Sequence, residues 1–149
     1  MPATRTVTLR IGFALGRNGS ALQALAALAK WFLGGTVGSG DQYITWIHID
    51  DLNEMFRGAI EKSDISGVLN ATGPSPLTNR EFMLALRSAL HRPWAPPTPS
   101  WAVKMGAFIL RTEPSLALTG RRSMPSRFLE YGFTFRFPDL RTALADITA

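Results

Sequence analysis

The side chains best equipped for chemistry in this 149-residue chain sit close together. Gln42, Tyr43 and Trp46 offer a polar and aromatic rim, and His48, Asp50 and Asp51 follow within a few residues. An imidazole beside carboxylates is common equipment for moving a proton. In an extended strand, however, His48 shares a face with Trp46 and Asp50, while Asp51 is better placed to cap a following helix. The spacing favours a structural histidine at a strand end, and no Ser or Cys nucleophile stands beside it in a recognisable motif. Just upstream, residues 34–40 read GGTVGSG. Glycines let backbone N–H groups approach a phosphate, but a dinucleotide cradle follows a strand and opens a helix. Here the glycines follow a helical pattern and precede a strand, which favours a plain connection or a loop over a ligand site.

Two further groups invite a function. Arg121, Arg122 and Arg127 could hold a phosphate through paired guanidinium donors, although adjacent arginines are more often solvated. The string YGFTFRF at 131–137 partly resembles the aromatic strand of an RNA-recognition module. Only its Gly-Phe-x-Phe portion fits, so Phe133, Phe135 and Phe137 read more simply as one buried face of a strand.

The elements that must position these residues follow from periodicity. Residues 4–15 read as a buried strand, and Ser20 with Gln23 as the capping box of a helix whose apolar positions are Leu22, Leu25, Ala26, Ala29 and Leu33. QYITWIHI at 42–49 reads as a second strand. Asp51 and Glu54 cap a helix with a stripe of Leu52, Met55, Phe56, Ala59 and Ile60, ending near Lys62. GVLNA at 67–71 is a short strand, and Thr78 with Glu81 caps a helix burying Phe82, Ala85, Leu86, Ala89 and Leu90. Strands alternating with helices predict an α/β protein with a mostly parallel sheet. Pro93, Pro96, Pro97 and Pro99 mark a stiff linker. Beyond it the pattern predicts a mostly helical unit. Its parts are a helix over 101–110, a short helix ending near Tyr131 with Gly132 as its stop, the strand FTFRF, and a last helix capped by Asp139.

Composition removes several classes of function. The 46% hydrophobic content excludes a disordered tail. With no cysteine and only His48 and His91, thiolate chemistry is absent and a protein-only zinc site lacks ligands. The longest charge-free apolar stretch, residues 18–29, has 12 residues against the roughly 18–20 that cross a bilayer, so no membrane partner and a cytoplasmic location are expected. Residues 1–92 hold 9 basic and 7 acidic side chains and residues 93–149 hold 7 and 4, so the +5 excess is spread rather than gathered into a nucleic-acid arm.

RIGFALG (10–16), GSGDQYITWIHIDDL (38–52), GVLNATGPSPLTNREF (67–82), HRPWAPPTPSW (91–101) and the terminal SLALTGRRSMPSRFLEYGFTFRFPDLRTAL together resemble one family. It comprises the nucleotide-sugar-epimerase-like proteins of the atypical short-chain dehydrogenase/reductase superfamily, also labelled cell-division-inhibitor-like, and the likeness is to their C-terminal half. The resemblance implies a partial Rossmann-like substrate half over residues 1–92, a Pro-rich linker at 93–100 and a small helical C-terminal module over 101–149. It also implies an NAD or NADP cofactor in the complete protein and none held by this chain alone. The family's Tyr-x-x-x-Lys is missing here, since Tyr43 and Tyr131 are followed four residues on by Ile47 and Phe135. The positions of a substrate-binding Asn and a diphosphate-binding Arg in sugar-nucleotide enzymes hold Phe13 and Ile44, which argues against a nucleotide-diphosphate sugar.

The expectation is therefore a small-molecule pocket bordered by Arg10 toward the cofactor and by Phe13, Gln42, Tyr43, Trp46 and His48 toward the substrate, catalytically silent without the rest of the protein. Two rivals remain: a basic nucleic-acid module, and a subunit that self-associates or meets a partner chain through an open sheet edge.

Overall fold

The computed structural model describes residues 4–92, 94–99, 101 and 120–149. The first apolar run is two strands, β1 (Val7–Ile11) and β2 (Phe13–Leu15), each with a different partner. β1 pairs in parallel with β5 (Gly67–Ala71), setting Arg10 opposite Asn70. β2 pairs in parallel with β4 (Trp46–His48), setting Phe13 opposite Trp46 and Leu15 opposite His48. The change of partner occurs at Gly12, whose N–H donates to Ala71 O while the Phe13 N–H donates to Thr45 O. A Cβ on Gly12 would lie 2.7 Å from Thr45 O, so no side chain fits at the crossing. The single strand expected over 42–49 is likewise divided. β3 (Tyr43–Ile44) pairs antiparallel with β6 (Leu77–Thr78), and β4 begins one residue later in another ladder.

Three of the five described helices have a side-chain cap at their starts, and two of the expected caps do not form as expected. α1 (Ser20–Lys30) begins after Gly19 with no side-chain cap, so the expected Ser20–Gln23 box does not form; Gln23 Nε2 donates instead to Arg17 O. α2 (Ile49–Glu61) is capped by His48, whose Nδ1 accepts from the Asp50 N–H, and Asp51 is freed for a distant contact. Its last turn is closed by Arg5, whose guanidinium donates to the carbonyls of Ala59, Ile60 and Ile65. α3 (Asn79–Ala89) carries the expected Thr78–Glu81 capping box, and α5 (Leu140–Thr148) the expected Asp139 cap. Between them α4 (Ser126–Glu130) stops before Gly132, which takes a φ of 76°. The helix expected over 101–110 lies outside the described residues save for Trp101.

Both capping carboxylates sit below their ordinary range. The Thr78 backbone N–H and then its hydroxyl hold Glu81 down; for Asp139 the main cause is the Thr142 N–H. A carboxyl lowered in the folded state contributes stability that is complete above its unfolded value and is lost as pH falls through the folded one. Melting temperature should therefore drop as pH passes below the ordinary carboxylate range of about 4. A Glu81→Gln, Asp139→Asn variant should melt lower at pH 7 but show a flatter acid limb; an equally steep limb would assign the acid loss elsewhere.

Strand alternation sends successive residues to two cores. Leu15, Trp46 and α3 residues Phe82, Met83 and Leu86 pack with Leu22 of α1 and with Phe137, Leu140, Ala143 and Leu144. Ile47 faces the other side, with Leu69 and Ala71 of β5, Leu52, Met55 and Ala59 of α2, and Phe128 of α4. Residues from 126 onward thus contribute to both clusters.

The segment 133–137 is not a strand, which corrects the expectation for FTFRF. It is extended and its rings do turn inward: Phe128, Phe133 and Phe135 stack edge to face in series, with centroids 5.8 and 4.9 Å apart. Its backbone partner is a side chain. The buried Asp51 carboxylate accepts from the N–H groups of Arg136 at 2.8 Å and Phe137 at 3.0 Å.

Candidate functional site

The crossing at Gly12 and Thr45 is where the expected site residues can be placed. Gly73 repeats the close approach: its N–H donates to Trp46 O, and a Cβ there would lie 2.7 Å from that oxygen. Trp46 is buried, with its indole N–H donating to Ser75 O at 2.8 Å, so its ring is a core element and its polar edge is spent. Phe13 is half-buried and meets the Phe82 ring edge to face at 5.9 Å. Tyr43 lies at the surface, and Gln42 is half-buried with its amide donating to Val37 O.

His48 is 2% exposed. Because Nδ1 accepts from the Asp50 N–H, Nε2 must carry the ring proton of the neutral form. Nε2 lies 3.4 Å from Asp146 Oδ2, an ionic approach that forms no aligned hydrogen bond. Phe137 stacks on the ring at 3.9 Å, and the Arg136 guanidinium lies 5.2 Å from the Phe137 centroid. The imidazole is thus held as a helix cap, in keeping with the spacing argument.

The segment 120–124 runs past Tyr43, Thr45 and Asn70. Thr45 Oγ1 donates to Arg121 O and accepts from the Ser123 N–H, and Asn70 Nδ2 donates to Met124 O at 3.2 Å. Arg122 then lies 5.3 Å over the Tyr43 ring, an arrangement that neither residue's neighbours in sequence reveal. Arg127, grouped with these arginines by sequence, is used structurally: it donates to Val68 O at 2.8 Å. Arg10 is exposed beside Asn70 and is in no ion pair among the described residues. The structure therefore gathers Tyr43, Arg122, Thr45, Asn70 and Arg10 along one rim, with Phe13 and Trp46 behind it. Thr45, Asn70 and the buried, unpartnered hydroxyl of Thr72 beside Gly12 are polar groups that sequence patterns did not mark. This rim can bind and orient; among its described residues no group is set up as an acid or base.

The glycine loop does not fit a pyrophosphate. Three of its N–H groups are spent internally, Val37 on Asn79 Oδ1, Gly38 on Thr98 O and Gly40 on Val37 O. Nor do the described residues include a group of three or more His, Cys, Asp or Glu that could hold a metal ion. Arg87 of α3 underpins the loop from below, donating to Gly34 O at 2.8 Å from a buried position where loss of solvation weakens its hold on its proton.

Comparison with known proteins gives a consistent pattern. Residues 98–147 match a family model described as a domain of unknown function, DUF1731. The epimerase family protein SDR39U1 of Mus musculus is 40% identical over 148 residues, covering 99% of this chain and 50% of the relative. The crystal structure of the human epimerase family protein SDR39U1 (isoform 2) with NADPH superposes with a TM-score of 0.88 at 39% identity, over 97% of this chain and 48% of that one. A nucleoside-diphosphate sugar epimerase from Corynebacterium glutamicum superposes with a TM-score of 0.74 at 30% identity, over 97% of this chain and 26% of its own. The chain spans about half the length of the curated relatives it matches.

Proposed function

We propose, since this chain belongs to the epimerase family as the C-terminal part of such a protein, that it supplies the substrate-side wall of an NAD(P)-dependent epimerase- or dehydratase-like oxidoreductase and is catalytically silent by itself. The observation that carries this reading is a rim able to bind but lacking an acid or base, in a chain whose tyrosines have no lysine four residues on. In the complete protein Tyr43, Gln42 and Phe13 would meet the substrate, Trp46 and His48 would back them from the core, and Arg10 would face the cofactor. NAD or NADP would supply hydride transfer there. The division into a substrate part at 1–92, a linker at 93–100 and a C-terminal module at 101–149 belongs to the same proposal, as does a cytoplasmic location. Among the described residues no helix is long and apolar enough to cross a membrane.

Titrating the isolated chain with NADPH should give no saturable change in cofactor fluorescence. Saturable binding in the micromolar range or tighter would overturn the placement of the cofactor site outside this chain.

A second reading, a chain that meets another through a sheet edge, is favoured by one observation. Among the described residues β1 has a ladder on one side only, and beside it Val7, Leu9, Phe56, Ala59 and Ile60 line a shallow apolar groove. Unpaired strand edges recruit further strands. Native mass measurement distinguishes the readings, because only the second requires an oligomer of this chain.

A further inference from the structure

Four asparagines occur in the chain, in the pairs Asn18-Gly19, Asn53-Glu54, Asn70-Ala71 and Asn79-Arg80. An asparagine amide is a thermolabile group. It is lost when the backbone nitrogen of the next residue turns back on the side-chain carbon. That attack needs a free side chain, an unhindered nitrogen and a backbone able to bend. Three of the four pairs are denied it. Asn53 and Glu54 lie inside α2, where helical hydrogen bonds fix the backbone. Asn70 and Ala71 lie in the β5 ladder, and the Asn70 amide donates to Met124 O. Asn79 Oδ1 accepts from the Val37 N–H, and the Arg80 N–H donates to Gly40 O.

Asn18 differs on each count. It is exposed in the turn between β2 and α1, and among the described residues its amide has no hydrogen-bond partner. Gly19 presents no side chain to obstruct approach to its nitrogen. The turn is closed by one bond, from the Gly19 N–H to Gly16 O at 3.0 Å. A lone turn bond outside the regular ladders opens at small cost in free energy.

The surroundings also determine what a change at this position would do. α1 starts after Gly19 with no side-chain cap and no acidic residue in its first turn. A negative charge at position 18 would meet the positive end of the helix dipole. The same turn carries Arg17, whose guanidinium donates to Asp146 O in α5 at 2.7 Å and whose carbonyl accepts from Gln23 Nε2. Its geometry therefore ties the start of α1 to the last helix.

We propose that Asn18 is a site of spontaneous deamidation in the folded protein, and that its two products act on stability in opposite directions. Once the turn bond opens, hydroxide takes the Gly19 amide proton and the nitrogen attacks Asn18 Cγ. A C–N bond forms, the Cγ–Nδ2 bond breaks and ammonia leaves. Water then opens the resulting succinimide ring. Opening at Cγ restores the backbone with aspartate at 18, a carboxylate beside the uncapped start of α1. Opening at the main-chain carbonyl leaves isoaspartate, which adds one carbon to the backbone. That insertion displaces Gly19 from Gly16 O and draws Arg17 away from Asp146 O.

The 149-residue chain, kept warm at mildly alkaline pH, should gain close to one dalton and one negative charge, and peptide mapping should place the change at residue 18. The rate should rise with hydroxide concentration. Asn18→Gln should abolish the conversion and Gly19→Ala should slow it several-fold. Gly19 has an ordinary φ of −72°, so the alanine variant should still fold. After separation by ion exchange, the aspartate form should melt on the order of 2 °C above the parent, as should Asn18→Asp. The isoaspartate form should melt below the parent. Retention of the Asn18 amide in the folded chain while the urea-unfolded chain loses it would overturn the proposal. So would loss at Asn53, Asn70 or Asn79 at an equal rate, or identical melting of the two products.

Discussion

Asp51→Ala should cost the fold about 3–5 kcal/mol, the sum expected when a buried carboxylate's two charge-assisted hydrogen bonds go and one buried and one part-buried donor are orphaned. The carboxylate is 2% exposed and accepts from the backbone N–H groups of Arg136 and Phe137, 85 and 86 residues away. Among the described residues no strand pairs with that segment, so Asp51 is the anchor that sets Phe137 against His48 and starts α5 in its packed position. Asn retains one acceptor but turns a donor toward the second N–H, so Asp51→Asn should fall between. Urea unfolding measures both. A shift under about 1 kcal/mol for the alanine variant would show that 133–137 is held by its rings alone, since that is the net scale of a single ordinary hydrogen bond. For a chain of this size the larger loss corresponds to a melting temperature roughly 10 °C lower, taking about 2–4 °C per kcal/mol.

Trp46→Ala should be of similar size, about 3–5 kcal/mol, because truncating a large buried aromatic leaves a cavity as well as losing transfer energy. Trp46 packs with residues of β2, α1, α3 and α5 at once, so the void would open where four elements meet. Trp46→Phe should recover most of the packing while leaving Ser75 O without its indole donor, at a cost of about 1–2 kcal/mol. Tyr43→Ala is the comparison: it removes a surface ring that stacks with Arg122 and should cost under about 1 kcal/mol, the scale of an exposed cation–π contact. If Trp46→Ala unfolds no more readily than Tyr43→Ala, Trp46 is not the core residue its burial makes it.

These two residues show how much of the site could be read in advance. The rim of Gln42, Tyr43 and Trp46 was visible as a run of polar and aromatic types, but only Tyr43 keeps its aromatic surface outward. Trp46 sits on the strand face that meets α3 and α5, a fact fixed by which ladder β4 joins. His48 was expected as a structural residue at a strand end and is one, yet its role as a cap displaced Asp51 from the position assigned to it. The stacking of Arg122 on Tyr43 joins residues 79 positions apart and left no mark in either local pattern.

Sequence by itself determined the features that close within about one helical turn: the Thr78–Glu81 box, the Asp139 cap, the Gly132 stop and the core positions Leu52, Met55 and Ala59 of α2 and Phe82 and Leu86 of α3, although Phe56 and Ile60 of the expected α2 stripe are exposed. Their donors, acceptors and periodicities lie within a few residues, where composition leaves few alternatives. Only the tertiary structure decided where an extended run changes partner, as at Gly12 and Thr45, and which carboxylate caps and which clamps. It also decided whether an alternating aromatic segment finds a strand beside it. Those outcomes depend on which backbone groups arrive from distant parts of the chain, and every buried N–H must find whichever acceptor the packed fold brings to it.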